Sequence, residues 1–163
     1  MASVVTRRLS QSREEWLQCA VGYLARADRT VAQVERFLRS KGATPTQAKQ
    51  TIDRLSGLRY LDDCSYATRW VESRLLRKPM GRERLKAELL AKGLEEAMVG
   101  SVIDQALQAI DEEALARRAL HSWHSGRRAL PSQAAQYLRR RGFEEETIAR
   151  IIRGSTDTEG RDA

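Results

Sequence analysis

The sequence predicts an all-α protein: three tandem three-helix repeat units forming an elongated, curved molecule. Three observations predict it. A nine-residue pattern recurs as VERFLRSKG from Val34 to Gly42, LKAELLAKG from Leu85 to Gly93 and AAQYLRRRG from Ala134 to Gly142. Leu38, Leu89 and Leu138 each stand four residues before the glycine, at intervals of 51 and 49 residues, and Ile52, Ile103 and Ile152 each follow it by ten. A period of about 50 residues means one small unit built three times. Between these landmarks apolar residues recur at helical spacing, and no segment alternates apolar with polar residues as a half-buried strand would. Units in a row present an extended surface suited to a long partner, not one deep catalytic site.

The elements follow in order. Residues 1–13 lack helical periodicity and read as a flexible N-terminal arm. The first unit spans residues 14–58, with a helix from about Glu14 that places Trp16, Leu17, Ala20, Val21, Leu24 and Ala27 on one face. Asp28 and Arg29 interrupt it. Thr30 then reads as an N-cap, with Gln33 completing a capping box. Val34, Phe37 and Leu38 form the second stripe, which Gly42 ends as a glycine C-cap. Thr44–Pro45 starts the third helix, because proline suits the first helical position. Ala48, Ile52 and Leu55 face inward and Gly57 closes it.

The second unit, residues 59–110, repeats the plan. Tyr66, Ala67, Trp70, Val71 and Leu75 mark a helix broken at Pro79 and Gly81. Leu85, Leu89 and Leu90 mark the next, then Val99, Val102, Ile103 and Ala106 the last. In the third unit, residues 111–153, the stripes are Leu115, Ala119 and Trp123; Ala134, Tyr137 and Leu138; and Ile148, Ile151 and Ile152, with a break at Gly126 and Pro131. Ala43, Leu94 and Phe143 follow the three glycines and supply the apolar contact a glycine C-cap favours. Asp62–Asp63 and Asp111–Glu113 suit the starts of the second and third units. Residues 154–163 read as a disordered tail.

Composition narrows the function. Net charge is +7, with 24 Arg against 5 Lys. Residues 69–92 carry +5 and 117–153 carry +6, whereas 93–116 carry −6. Basic surface interrupted by an acidic block suits a partner of mixed charge; a chain that only grips nucleic acid is more often basic throughout. No apolar run approaches the roughly 20 residues of a membrane span, and no secretory signal is seen, so the expected location is cytoplasmic. Cys19 and Cys64 have no metal-ligand spacing and read as reduced thiols.

The chain reads as a non-enzyme with no cofactor. His121 and His124 stand three apart, but no nearby Cys or carboxylate completes a metal site, so they read as exposed polar residues. Single glycines end helices, and none opens a phosphate-binding loop. No nucleophile is paired with a base. The candidates are basic. Arg69, Arg74, Arg77, Lys78, Arg82, Arg84 and Lys86 crowd the Pro79–Gly81 turn, where a solvated face competes with a contact surface. Arg139, Arg140 and Arg141 either complement a helix dipole or add to that surface. Trp70 and Trp123 read as core.

The stretch RYLDDCSYATRWVESRLLRKPMGRERLKAELLAKGL from Arg59 resembles the RecX regulatory proteins. It carries their Tyr-Leu-Asp-Asp-like segment at Tyr60 to Asp63, Tyr66–Ala67 with Trp70, a basic turn at Arg77 to Arg82, and a Leu-x-x-Lys-Gly-like step at Leu89 to Gly93. Arg59 stands where many members have glycine. The resemblance implies a negative regulator of the RecA recombinase in DNA repair and the SOS response. Such a protein would bind the groove of the RecA filament on single-stranded DNA and restrain ATP hydrolysis, strand exchange and co-protease activity. It would act as a monomer, with at most a weak direct DNA contact. The alternative is a helical-repeat protein that binds nucleic acid directly; it predicts tight binding to bare DNA with a steep salt dependence.

Overall fold

Nine helices form among the described residues of the computed structural model, which are 12–123 and 130–157, with side chains to 154. They are α1 Arg13–Leu24, α2 Val31–Lys41, α3 Pro45–Gly57, α4 Asp63–Arg77, α5 Arg82–Leu90, α6 Glu96–Leu107, α7 Glu112–Trp123, α8 Pro131–Arg140 and α9 Glu145–Asp157. No strand occurs among these residues. The chain divides into two compact units: residues to Tyr66 with Lys92–Leu94, and Ala67–Ala91 with the residues from Glu95 onward.

In the first unit α1, α2 and α3 pack against one another. Their core is Trp16, Leu17, Ala20, Val34, Leu38, Ala43, Ala48, Ile52, Leu55 and Leu61. Ala27 lies past the end of α1 and is exposed, so it leaves the stripe expected of it. Capping boxes start all three helices: Ser12 with Glu15, Thr30 with Gln33, and Thr44 with Gln47. Thr30 is fully buried, and its hydroxyl also donates to the Lys92 carbonyl at 2.8 Å. The Val31 N–H, an orphan donor of the first turn of α2, donates to Asp63 Oδ1 at 2.9 Å. Asp62 caps its own helix, accepting from the Ser65 N–H at 2.9 Å. Burial pushes the Asp63 carboxyl up; the Val31 N–H opposes that shift and the Asp62 charge adds to it.

Gly42 ends α2 in the left-handed region, at φ 103. The α3 stop differs from the sequence expectation. Gly57 stays helical, and the left-handed residue is Arg59, at φ 60. The Arg59 N–H donates to the Ser56 carbonyl and the Tyr60 N–H to the Leu55 carbonyl, the paired bonds of a Schellman turn. Glycine normally fills that place, because a Cβ there costs roughly 1–2 kcal/mol.

In the second unit, α5 packs on α6, and α7, α8 and α9 pack mutually. Val71, Leu75, Met80, Leu85 and Leu89 are buried, as are Val99, Val102, Ile103, Leu115, Leu138, Ile148 and Ile151. Glu112 accepts from the Glu144 N–H at 3.4 Å and the buried Thr147 hydroxyl at 2.9 Å, which caps α9 from another helix. α9 continues to Asp157, past the Arg153 limit expected of it. Two expected core residues lie at the rim instead. Trp123 is 41% exposed and stacks on Tyr137, with centroids 4.5 Å apart. Trp70 is half-buried beneath the Arg74 guanidinium, 4.8 Å from its ring centroid. In both cases a neighbouring side chain covers the ring face, so no deeper burial is needed.

Candidate functional site

The two basic segments, 60 residues apart in sequence, meet through their backbones in the second unit. Gly81 is the N-cap of α5, and its N–H donates to the Arg141 carbonyl at 2.8 Å. A Cβ on Gly81 would stand 2.1 Å from the Gly142 carbonyl oxygen. Gly142 itself is left-handed, at φ 75, and a Cβ there would stand 2.3 Å from the Arg84 nitrogen. Only a pair of glycines lets the turns approach so closely. The contact sets the Arg77–Arg84 segment beside the Arg139–Arg141 turn.

Ion pairs then sort the basic side chains. Arg82 pairs with Asp104. Arg84 pairs with Glu88 at 2.8 Å, and Arg74 approaches the same carboxylate at 3.6 Å. Lys86 pairs with Glu96 at 2.6 Å and Arg139 with Glu145 at 2.5 Å. Hydrogen bonding to these cations, before simple charge attraction, holds the Glu96 and Glu145 carboxyls below their ordinary range. Arg141 lies over the Tyr137 ring at 5.1 Å. Arg69 is exposed on α4. Arg77, Lys78 and Arg140 are exposed and have no acidic partner among the described residues. Of the predicted basic residues, Arg74, Arg82, Arg84, Lys86, Arg139 and Arg141 therefore hold contacts within the fold while Arg77, Lys78 and Arg140 stand uncommitted, a division that charge density alone did not signal.

The acidic block is partly consumed in this pairing, since Asp104 and Glu96 are the partners on α6. The Arg118 guanidinium donates to the Leu75 and Leu76 carbonyls, both at 3.3 Å, which satisfies the exposed end of α4. His121 is exposed and His124 lies outside the described residues, as does Gly126. Among the described residues, no group of three or more His, Cys, Asp or Glu side chains could hold a metal ion. Cys19 is half-buried and Cys64 exposed, and neither forms a disulfide. No helix among the described residues is long and apolar enough to cross a membrane.

Comparison with known proteins gives this surface its context. Residues 17–55 match the model of the first three-helix domain of RecX, and residues 62–107 that of the second. The regulatory protein RecX of Thermobifida fusca is 30% identical over 142 residues, which cover 84% of this chain and 76% of the relative. The RecX of Geobacillus thermodenitrificans is 29% identical over 157 residues, and there the chain spans 57% of the relative's length. A crystal structure of RecX from Lactobacillus salivarius superposes with a TM-score of 0.70 at 25% identity, over 87% of this chain and 95% of that one. With both RecX three-helix domains matched and a relative 30% identical over most of its length, the chain belongs to the RecX family of regulatory proteins.

Proposed function

We propose that the chain restrains the RecA recombinase by seating on the filament that RecA forms on single-stranded DNA, slowing ATP hydrolysis, strand exchange and co-protease action. Family membership supports the regulatory role. The observation that carries the finer reading is the junction of the two basic turns, which leaves Arg77, Lys78 and Arg140 uncommitted around one backbone contact. Guanidinium forks match carboxylates and phosphates alike. A filament groove offers both, as protein acids beside a DNA backbone. Contacts spread over neighbouring protomers also raise effective concentration, so a small protein holds a filament better than a single subunit.

The test is steady-state ATP hydrolysis by RecA on single-stranded DNA with the chain titrated in, beside binding to bare DNA at the same salt. Inhibition below one chain per protomer, with weak bare-DNA binding, is the expected result. Absence of inhibition with tight bare-DNA binding refutes it and favours the nucleic-acid reading, whose affinity would fall steeply with salt.

A further inference from the structure

Resting on the filament reading, we infer that the Leu58–Arg59–Tyr60 turn is a second contact, a rigid apolar-and-cationic knob for a carboxylate-rimmed apolar hollow on a protein partner. Leu58 is 55% and Tyr60 58% exposed, two of the few large apolar side chains left in solvent. Arg59, between them, holds a left-handed conformation that glycine would adopt without strain. Residues held in such sparsely populated conformations cluster at ligand clamps and switch regions.

The turn is stiff. The Leu58 N–H donates to the Arg54 carbonyl at 3.0 Å, the Arg59 N–H to Ser56 at 3.0 Å and the Tyr60 N–H to Leu55 at 2.9 Å. Leu55 and Leu61, buried on either side, anchor it. The knob is therefore ordered before binding, which lowers the entropy that association must offset. Tyrosine and arginine are the side chains that most often dominate protein interfaces. Its charge is also uncommitted. Arg54 and Arg59 are exposed, and the nearby Asp53 is held by Lys49 at 2.6 Å. An adjacent leucine and tyrosine suit a protein hollow; a phosphate backbone would use the arginine and leave both apolar groups wet.

Two variants of the full chain test this: Arg59→Gly, and Leu58→Ser combined with Tyr60→Ser. Each is assayed for its urea midpoint, inhibition of ATP hydrolysis by the RecA filament, and binding to bare single-stranded DNA. Arg59→Gly is expected to raise the midpoint while requiring at least about tenfold more protein for half inhibition. The double variant is expected to keep its midpoint and lose inhibition to a similar degree, with bare-DNA binding unchanged in both. If the wild type inhibits and both variants inhibit equally well, the knob is refuted and the filament reading stands. Loss of bare-DNA binding in step with inhibition makes the turn a nucleic-acid contact and also refutes it. A wild-type chain without effect on the filament refutes the filament reading and the knob with it.

Discussion

Replacing either glycine of the basic junction should separate the two turns, and the two replacements should not add. Gly81 has an ordinary φ of −78, so Gly81→Ala brings no backbone strain. Its Cβ would instead meet the Gly142 oxygen at 2.1 Å, the Gly142 carbonyl carbon at 2.4 Å and the Phe143 Cα at 2.6 Å. All three are backbone atoms, so relief requires moving one turn away from the other. That movement breaks the Gly81–Arg141 hydrogen bond, worth about 1 kcal/mol, and loosens packing around buried Met80 and Phe143. Gly81→Ala should therefore cost about 2–3 kcal/mol, of the order seen for overpacked sites. Gly142→Ala suffers the same separation, because its Cβ meets the Arg84 nitrogen at 2.3 Å and Cβ at 2.7 Å. It adds roughly 1–2 kcal/mol for a left-handed alanine. Since one contact is lost either way, the double variant should cost little more than Gly142→Ala alone. Urea unfolding followed by far-UV circular dichroism measures all three. A Gly81→Ala cost below about 0.5 kcal/mol, or full additivity, refutes the junction.

Three further outcomes are expected. Glu at Arg77, Lys78 and Arg140 together should weaken inhibition of the RecA filament without loss of helicity, whereas Arg82→Ala should cost less than about 1 kcal/mol and little inhibition, since exposed ion pairs contribute little; titration of ATP hydrolysis beside circular dichroism compares them. Thr30→Val removes both the Lys92 bond and the helix cap from a fully buried site, so urea unfolding should show a loss of about 2 kcal/mol, most of it restored in Thr30→Ser. At neutral pH Asp63→Ala should lose about 1 kcal/mol with its Val31 bond, while Asp63→Asn keeps an acceptor there; because the native Asp63 carboxyl lies above its ordinary 3.8, the native state holds the proton more tightly, and the stability this contributes is complete below 3.8 and lost as pH rises through the native value, so Asn should gain on the wild type over that rise in a pH series of urea midpoints.

The parts of the fold legible in the sequence are those that local chemistry decides. Gly42, Gly93 and Gly142 all take positive φ, and Thr30 caps as its capping box requires. Arg59 carried a visible signal too, because the RecX resemblance leads one to expect glycine there, although Gly57 draws the helix stop to itself in the sequence. Trp70 and Trp123 were misplaced because helical spacing identifies a face but not its depth. Nor does spacing along one helix reveal ion-pair partners on another, as Asp104 and Glu96 are for Arg82 and Lys86. The Gly81–Gly142 contact was hidden for a different reason. Gly81 needs no unusual φ, so the demand for glycine comes only from the other turn. Register held the available clue: Thr30, Gly81 and Leu130 each precede their repeat's glycine by twelve residues.

That register also explains how the basic surface becomes available. In the first unit the carbonyl before Gly93, that of Lys92, accepts from the Thr30 hydroxyl. In the second the carbonyl before Gly142, that of Arg141, accepts from the Gly81 N–H. The acceptor is equivalent in the two places, and the N-cap residue decides which group reaches it. Threonine uses a side chain that must be buried to act. Glycine uses the backbone, and two glycines bring the turns together through main-chain atoms. Leu130, at the third equivalent position, is 62% exposed and makes no side-chain cap bond, so it supplies no such contact. The basic turns therefore meet at a junction built from main-chain atoms. Since neither Arg77, Lys78 nor Arg140 is needed to hold it, their charges can be directed at a partner without loosening the contact that gathers them.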